Sequence, residues 1–206
     1  MKAVAKSKPI LKVREMTFIA MMGALSAVIM LFRFPLPFLP PFMSFDLSPI
    51  IEMIGGFMFG PVAAVLIIVV KILLNVVIQG STSVGTGELQ NLILGCAYVM
   101  PAIFVYRKKT RKRAAAGMVL GTVTVAIAAI FSNIYLIIPF YTALFNMNID
   151  DIIAMCTEVN PAVNNMFTMV LLGIVPFNII KYGVCSVFTF FLYKNLSRPI
   201  KNFLNK

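Results

Sequence analysis

Apolar residues run along this chain in long stretches, and polar residues gather in the short breaks between them. A helix that crosses a bilayer needs about 20 mostly apolar residues. Met16–Phe32 meets that need first. Leu47–Phe59 is shorter, and it opens with Ser48 and Pro49, a good N-cap and first-turn pair. Further stretches follow at Pro61–Gln79, Leu89–Tyr106, Ala114–Ile138 and Phe167–Tyr193. The chain stays apolar from Pro139 to Phe145, so the fifth helix can run on that far. A proline inside a membrane helix is tolerated where neighbours satisfy the freed backbone groups. Glu52 interrupts the second stretch, which is expected to tilt, to re-enter, or to borrow length from the loop before it. The pattern predicts an all-α integral membrane protein of six transmembrane helices, a single domain over residues 1–206. No internal repeat is evident, which argues against two inverted halves.

Charge orients these spans. Only 12% of the 206 residues are charged, against about 25% in soluble domains. Of the 18 Lys and Arg, five precede Met16, six lie in "RKKTRKR" (Arg107–Arg113) and four follow Tyr193. Six spans put all three clusters and both termini on one side, and the positive-inside rule makes that side cytoplasmic. Asp46, Glu88, Asp150, Asp151 and Glu158 then fall toward the outer side. A net charge of +11 distributed this way is not a nucleic-acid footprint. The N-terminal apolar run has no small-residue cleavage site, so it is expected to be a retained span in the cell membrane.

Composition removes most catalytic chemistry. The chain has no histidine, and Cys96, Cys156 and Cys185 are scattered, with neither disulfide nor metal-ligand spacing. Neither a GxxxxGK[ST] phosphate loop nor an HExxH pair occurs. "GTGE" (Gly85–Glu88) explains itself as a turn opening the fourth helix. Neither an enzyme, a metal site nor a cofactor is expected.

Two loops and two lysines remain. In "FPLPFLPPFMSFD" (Phe34–Asp46), prolines 35, 37, 40 and 41 forbid a regular helix and stiffen the backbone. Phe34, Phe38, Phe42 and Phe45, with Leu36, Leu39 and Met43, make it too apolar for a solvated loop. It is either a structural lid or a stiff wall for a flat ligand, which loses little entropy on binding. The second outer loop, Asn146–Asn165, is amphipathic with room for one short helix, as gate or connector.

A charge at the bilayer centre costs about 2.5–3.5 kcal/mol on insertion scales, so a buried lysine needs a partner or a task. Lys71 and Glu52 lie on adjacent antiparallel spans, each roughly 12–15 Å from the turn that joins them. They are expected to pair. Lys181 has no such mirror partner. It stands roughly 18 Å of helix from Tyr193, too far to snorkel. Asn178 shares its face at i, i+3. Asn133, the only amide of the fifth span, reaches a similar depth if that helix extends to Phe145. Two amides and an ammonium suit an uncharged heterocycle with carbonyls on one edge. Interhelical glue explains the asparagines but not the lysine. On the first span, Ala20 and Ala24 form one small-xxx-small pair and Gly23 and Ala27 another. Such stripes admit a close helix, internal or from a partner.

Together these residues resemble the S components of energy-coupling factor (ECF) transporters, small six-helix vitamin-capturing membrane subunits of bacteria. Ala20-xxx-Ala24 resembles the motif with which that family docks onto its transmembrane T component. "FPLPFLPPFMSFDLS", "GTGELQN", Asn133 and "NIIK" (Asn178–Lys181) are similar to the riboflavin-specific subfamily across nearly the whole chain. The resemblance implies riboflavin as transported ligand, no resident cofactor, and energy from two ATPases acting through the T component. It implies Asn133, Asn178 and Lys181 on the flavin ring, under the loop that follows the first helix. Phe38, Leu39, Phe42, Met43 and Phe45 then suit the flat ring, and Asp46, Glu88 and Asn91 are candidates for the ribityl hydroxyls. An S component for another vitamin and a membrane assembly protein remain open.

Overall fold

The computed structural model describes residues 13–35, 43–81, 83–108, 110–146 and 148–204. Its main body is helical: α1 (Val13–Leu31), α2 (Pro49–Phe59), α3 (Pro61–Gln79), α4 (Thr86–Val105), α5 (Arg111–Ser132), α6 (Ile138–Phe145), α7 (Ile149–Val159), α8 (Met166–Met169) and α9 (Val175–Leu204). Two short strands, β1 (Phe34–Pro35) and β2 (Ser44–Phe45), pair antiparallel between α1 and α2, with Phe34 opposite Phe45. The proline-rich loop is therefore a narrow hairpin at its base.

Five helical runs among the described residues are long and apolar enough to cross a membrane: α1, α3, α4, Arg111–Phe145 and Met166–Tyr193. The second predicted span is not one of them. At 11 residues, α2 is roughly 16 Å long, about half the hydrocarbon thickness. Every residue of α2 from Pro49 to Phe57 is buried, Glu52 included. α1, α3, α4 and α9 pack around it, and the bundle turns Leu73, Val77, Val119, Phe131, Val187 and Phe191 outward. An outside as apolar as the inside is what a lipid environment requires.

The fifth helix does continue to Phe145, by a specific device. Between α5 and α6 the backbone widens into a π-helical turn, Asn133–Ile137. A second widened turn, Val170–Ile174, joins α8 to α9. Each ends two residues before a proline, Pro139 or Pro176. Proline lacks an amide hydrogen and crowds the carbonyl one turn back, and a locally wider turn accommodates both effects. The same prolines thus shape the two helices at one level.

Close approaches hold the bundle. A Cβ at Gly23 would lie 2.5 Å from Val70, and one at Gly117 would lie 2.6 Å from the Ala102 carbonyl oxygen. Glycine lets α1 meet α3 and α5 meet α4. The buried hydroxyls of Tyr106 and Tyr193 share a 2.8 Å hydrogen bond, tying the end of α4 to α9. Between residues 146 and 165, α7 forms the one short helix expected there, and Asp151 accepts the Asn148 amide hydrogen at its start.

Candidate ligand cavity

A cavity of about 490 Å³ opens among the hairpin, α3, α4, α6, α9 and the widened turns. That volume suits a drug-sized molecule. Seven of the ten expected ligand residues line it: Met43, Asp46, Glu88, Asn91, Asn133, Asn178 and Lys181. Phe45 is not a lining residue; it is buried, with its ring 5.6 Å from that of Phe34. Strand alternation explains this, since neighbouring residues of β2 point to opposite faces and Ser44 takes the cavity side. Leu39 and Phe42, with Phe38, lie outside the described residues.

The widened turns aim the two amides. Asn133 Nδ2 donates to the Ala129 carbonyl at 2.7 Å, and Asn178 Nδ2 donates to the Ile174 carbonyl at 2.8 Å. Each side chain is fixed by its own helix, and both are buried against the cavity. Such preset groups recognise a ligand without first having to be ordered.

Lys181 has a partner after all. Its Nζ lies 2.6 Å from Asp46 Oδ2, and both side chains are buried. After β2 the chain brings Asp46 beside α9, its carbonyl oxygen 3.9 Å from Cys185 Sγ. The other carboxylate oxygen accepts from the Ser48 amide at 2.9 Å and from the Ser48 hydroxyl. Burial by itself would raise the Asp46 pKa. The charges of Lys181 and Lys71, with hydrogen bonds from Lys181 and Ser48, outweigh it and hold the group well below the ordinary carboxylate range.

The expected pair is also present: Lys71 Nζ lies 2.5 Å from Glu52 Oε1, both buried. Lys71 also donates to Ser48 Oγ at 3.3 Å, so Ser48 joins the two ion pairs. The Ser48 carbonyl in turn accepts from Ser26 Oγ on α1 at 3.2 Å. Lys181, Asp46, Lys71 and Glu52 thus form one buried, charge-balanced chain, with Lys181 and Asp46 on the cavity wall and Lys71 and Glu52 behind it.

Sequence reasoning missed several lining residues, notably Asn75, Thr86 and Gln90. Asn75 had a signal: it lies at i+4 from Lys71, on the same helix face. The small residues of α1 divide cleanly. Gly23 and Ala27 are buried, whereas Ala20 and Ala24 are exposed.

Comparison with known proteins follows the same lines. Residues 14–193 match the family described as "ECF transporter, substrate-specific component". The riboflavin transporter RibU of Staphylococcus aureus (strain TCH60) is 31% identical over 189 residues, covering 91% of this chain and 93% of the relative. The riboflavin transporter FmnP of Bacillus subtilis (strain 168) is 31% identical over 181 residues, or 86% and 88% of the two chains. A solved structure of the S component of a bacterial ECF transporter superposes with a TM-score of 0.70 at 29% identity, covering 94% of this chain and 98% of the other.

Proposed function

The chain belongs to the family of ECF transporter substrate-specific components, and we propose that it captures riboflavin in the cavity described above for uptake into the cell. Members of such a family are multi-pass membrane proteins that bind a transported substrate; they are not enzymes. One observation carries the choice of riboflavin: Asn133, Asn178 and Lys181 converge on one cavity in a chain whose relatives named riboflavin transporters match it along nine tenths of its length. Chemistry supports it. The isoalloxazine ring is flat, uncharged and apolar over most of its area, and carbonyls line its pyrimidine edge. An ammonium and two oriented amides complement that edge, while Met43, Leu94 and Ile174 give apolar surface for the ring.

The remaining assignments rest on the same reading. Residues 1–206 form one membrane domain in the plasma membrane. Both termini and the "RKKTRKR" loop face the cytoplasm, where the basic clusters place them. Energy comes from two ATPases acting through a transmembrane T component, in keeping with a sequence that carries no phosphate loop of its own. Ala20 and Ala24 are the docking face for that T component: they are exposed while their neighbours Gly23 and Ala27 pack inward.

Quenching of riboflavin fluorescence on titration with the detergent-purified protein tests the function. Saturable quenching at a one-to-one ratio is expected, unaffected by excess thiamine or biotin. Absence of quenching, or equal competition by those vitamins, would refute riboflavin as the substrate.

A further inference from the structure

Cations open α5. Arg111, Lys112 and Arg113 fill its first turn, all exposed, with no acidic residue among them. A helix N-terminus is the positive end of the backbone dipole, so carboxylates stabilise it and cations do the reverse. The Thr110 hydroxyl caps the turn by accepting from the Arg113 amide at 3.3 Å, but a neutral cap adds no counter-charge. Arg107, also exposed, adds a fourth cation just before it. None of the four forms an ion pair among the described residues, whose ion pairs join Lys71 to Glu52 and Lys181 to Asp46.

Two of these cations are held in place. The Arg107 guanidinium carbon lies 5.6 Å from the centre of the Phe104 ring, and that of Arg111 lies 5.6 Å from the centre of the Phe190 ring on α9. Both distances are within cation–π reach. The turn that carries them is pinned. Tyr106, next to Arg107, has its ring centre 4.3 Å from that of Phe57, and its hydroxyl bonds to that of Tyr193. The positive-inside rule asks only for cations on this side. It does not ask for guanidinium groups fixed over aromatic rings at the ends of two spans.

The rings show what the cations face. Phe104, in the last turn of α4, is 49% exposed. Both α4 and the run Arg111–Phe145 are long and apolar enough to cross a membrane, so Arg107 and Arg111 stand where hydrocarbon gives way to headgroups. Farther along, Val119 and Leu120 on α5 and Val187 and Phe191 on α9 are exposed and offer apolar surface to acyl chains. A forked guanidinium binds phosphate oxygens through two parallel hydrogen bonds. A net-anionic headgroup supplies the negative charge that the start of α5 lacks, and a soluble anion would leave the apolar flanks unused.

We infer that the turn between α4 and α5 is a binding site for an anionic phospholipid of the inner leaflet, its phosphodiester held by Arg107 and Arg111. The inference does not depend on the substrate; the leaflet follows from the proposed orientation.

The test uses the detergent-purified full chain and two fluorescent lipids with identical tails, phosphatidylglycerol and phosphatidylcholine. Binding is titrated at about 0.3 M salt, which screens charges that are not in contact. The unchanged protein should bind phosphatidylglycerol at least about ten-fold more tightly than phosphatidylcholine. Arg107→Gln with Arg111→Gln should shrink that preference to within about two-fold, with phosphatidylcholine binding and the thermal melt unchanged. Lys112→Gln with Arg113→Gln removes the same charge and should shrink the preference by less than about three-fold. No preference in the unchanged protein, or its survival without the two arginines, overturns the inference. Equal losses in the two double variants would overturn it as well, because they would show diffuse attraction to a positive helix end. Displacement of phosphatidylglycerol by inorganic phosphate would make the occupant a soluble anion rather than a lipid. Unchanged lipid binding with lost co-purification of a T component would make the arginines a protein interface.

Discussion

Lys71 and Lys181 are both buried lysines on spanning helices, each in hydrogen-bonding contact with a buried carboxylate. They differ in what lies beyond the pair. Behind Lys71 and Glu52 there is only protein, whereas Lys181 and Asp46 form part of a cavity wall. A paired lysine in a membrane protein is therefore not, by its pairing, a purely structural one. Lys181 has a buried carboxylate partner and, with Asp46, a place on the cavity wall.

The sharpest way to break this comparison is to disrupt the pair that has no cavity. Lys71→Met leaves Glu52 charged and buried, with one carboxylate oxygen already lacking a partner among the described residues. Removing one member of a buried pair costs about 3–5 kcal/mol. A large fall in the thermal melt of the ligand-free protein is expected, with riboflavin affinity of the surviving folded fraction within about three-fold of normal, less than the 1.4 kcal/mol of a decade. An affinity loss without a stability loss would reverse the roles of the two lysines.

Lys181→Met should act in the opposite proportion. A hydrogen bond from a charged group contributes about 1.5–3 kcal/mol, so riboflavin should bind roughly ten- to a hundred-fold more weakly. The sequence alone suggests that this change leaves folding unharmed, because a membrane-embedded charge disappears. The ion pair with Asp46 corrects that expectation: a modest fall in the melt is predicted, smaller than for Lys71→Met, because Asp46 keeps two hydrogen bonds from Ser48 and borders the cavity.

How far the two pairs were legible has a physical cause. Glu52 and Lys71 sit on helices joined by a single glycine, so depth along each helix locates one against the other. Asp46 lies 135 positions from Lys181, in an irregular segment whose inward course no periodicity encodes. Five of the six expected spans, the continuation to Phe145, and the placing of seven of the ten expected ligand residues around one cavity followed from pattern and resemblance. The widened turns before Pro139 and Pro176 did not, because propensity marks a proline as a break and says nothing of how neighbours absorb it. Nor did the side of the sheet on which Phe45 falls, since strands of two residues offer no alternation to count.

Two further tests sharpen the contrast by changing little in binding. Ala20→Leu and Ala24→Leu alter a face remote from both pairs. Riboflavin affinity in detergent should stay within about two-fold of normal, a few tenths of a kcal/mol, while co-purification with a T component and uptake are lost. Assembly and transport by both variants would remove the docking role. The smallest effect concerns pH. Asp46 has its carboxyl pKa depressed in the folded protein, so its contribution is fully present above the unfolded carboxylate value of about 3.9. That contribution is lost only as pH falls through the still lower folded value. Riboflavin affinity should therefore be flat between about pH 5 and pH 8, a window wholly above that unfolded value. A titration in this window would mean that Asp46 is not held as an ion.

The central claim is that Lys181 binds the ligand as well as Asp46. It is tested most directly by riboflavin titration of the double variant Asp46→Asn with Lys181→Met, beside each single variant. Removing both charges leaves no buried ion unpaired, so the thermal melt should recover relative to Lys181→Met alone. Affinity should remain at least about ten-fold below that of the unchanged protein, because the donor to the flavin carbonyl is still missing. Recovery of affinity along with the melt, to within about two-fold of the unchanged protein, would show that Lys181 served only to neutralise Asp46, and would contradict the account.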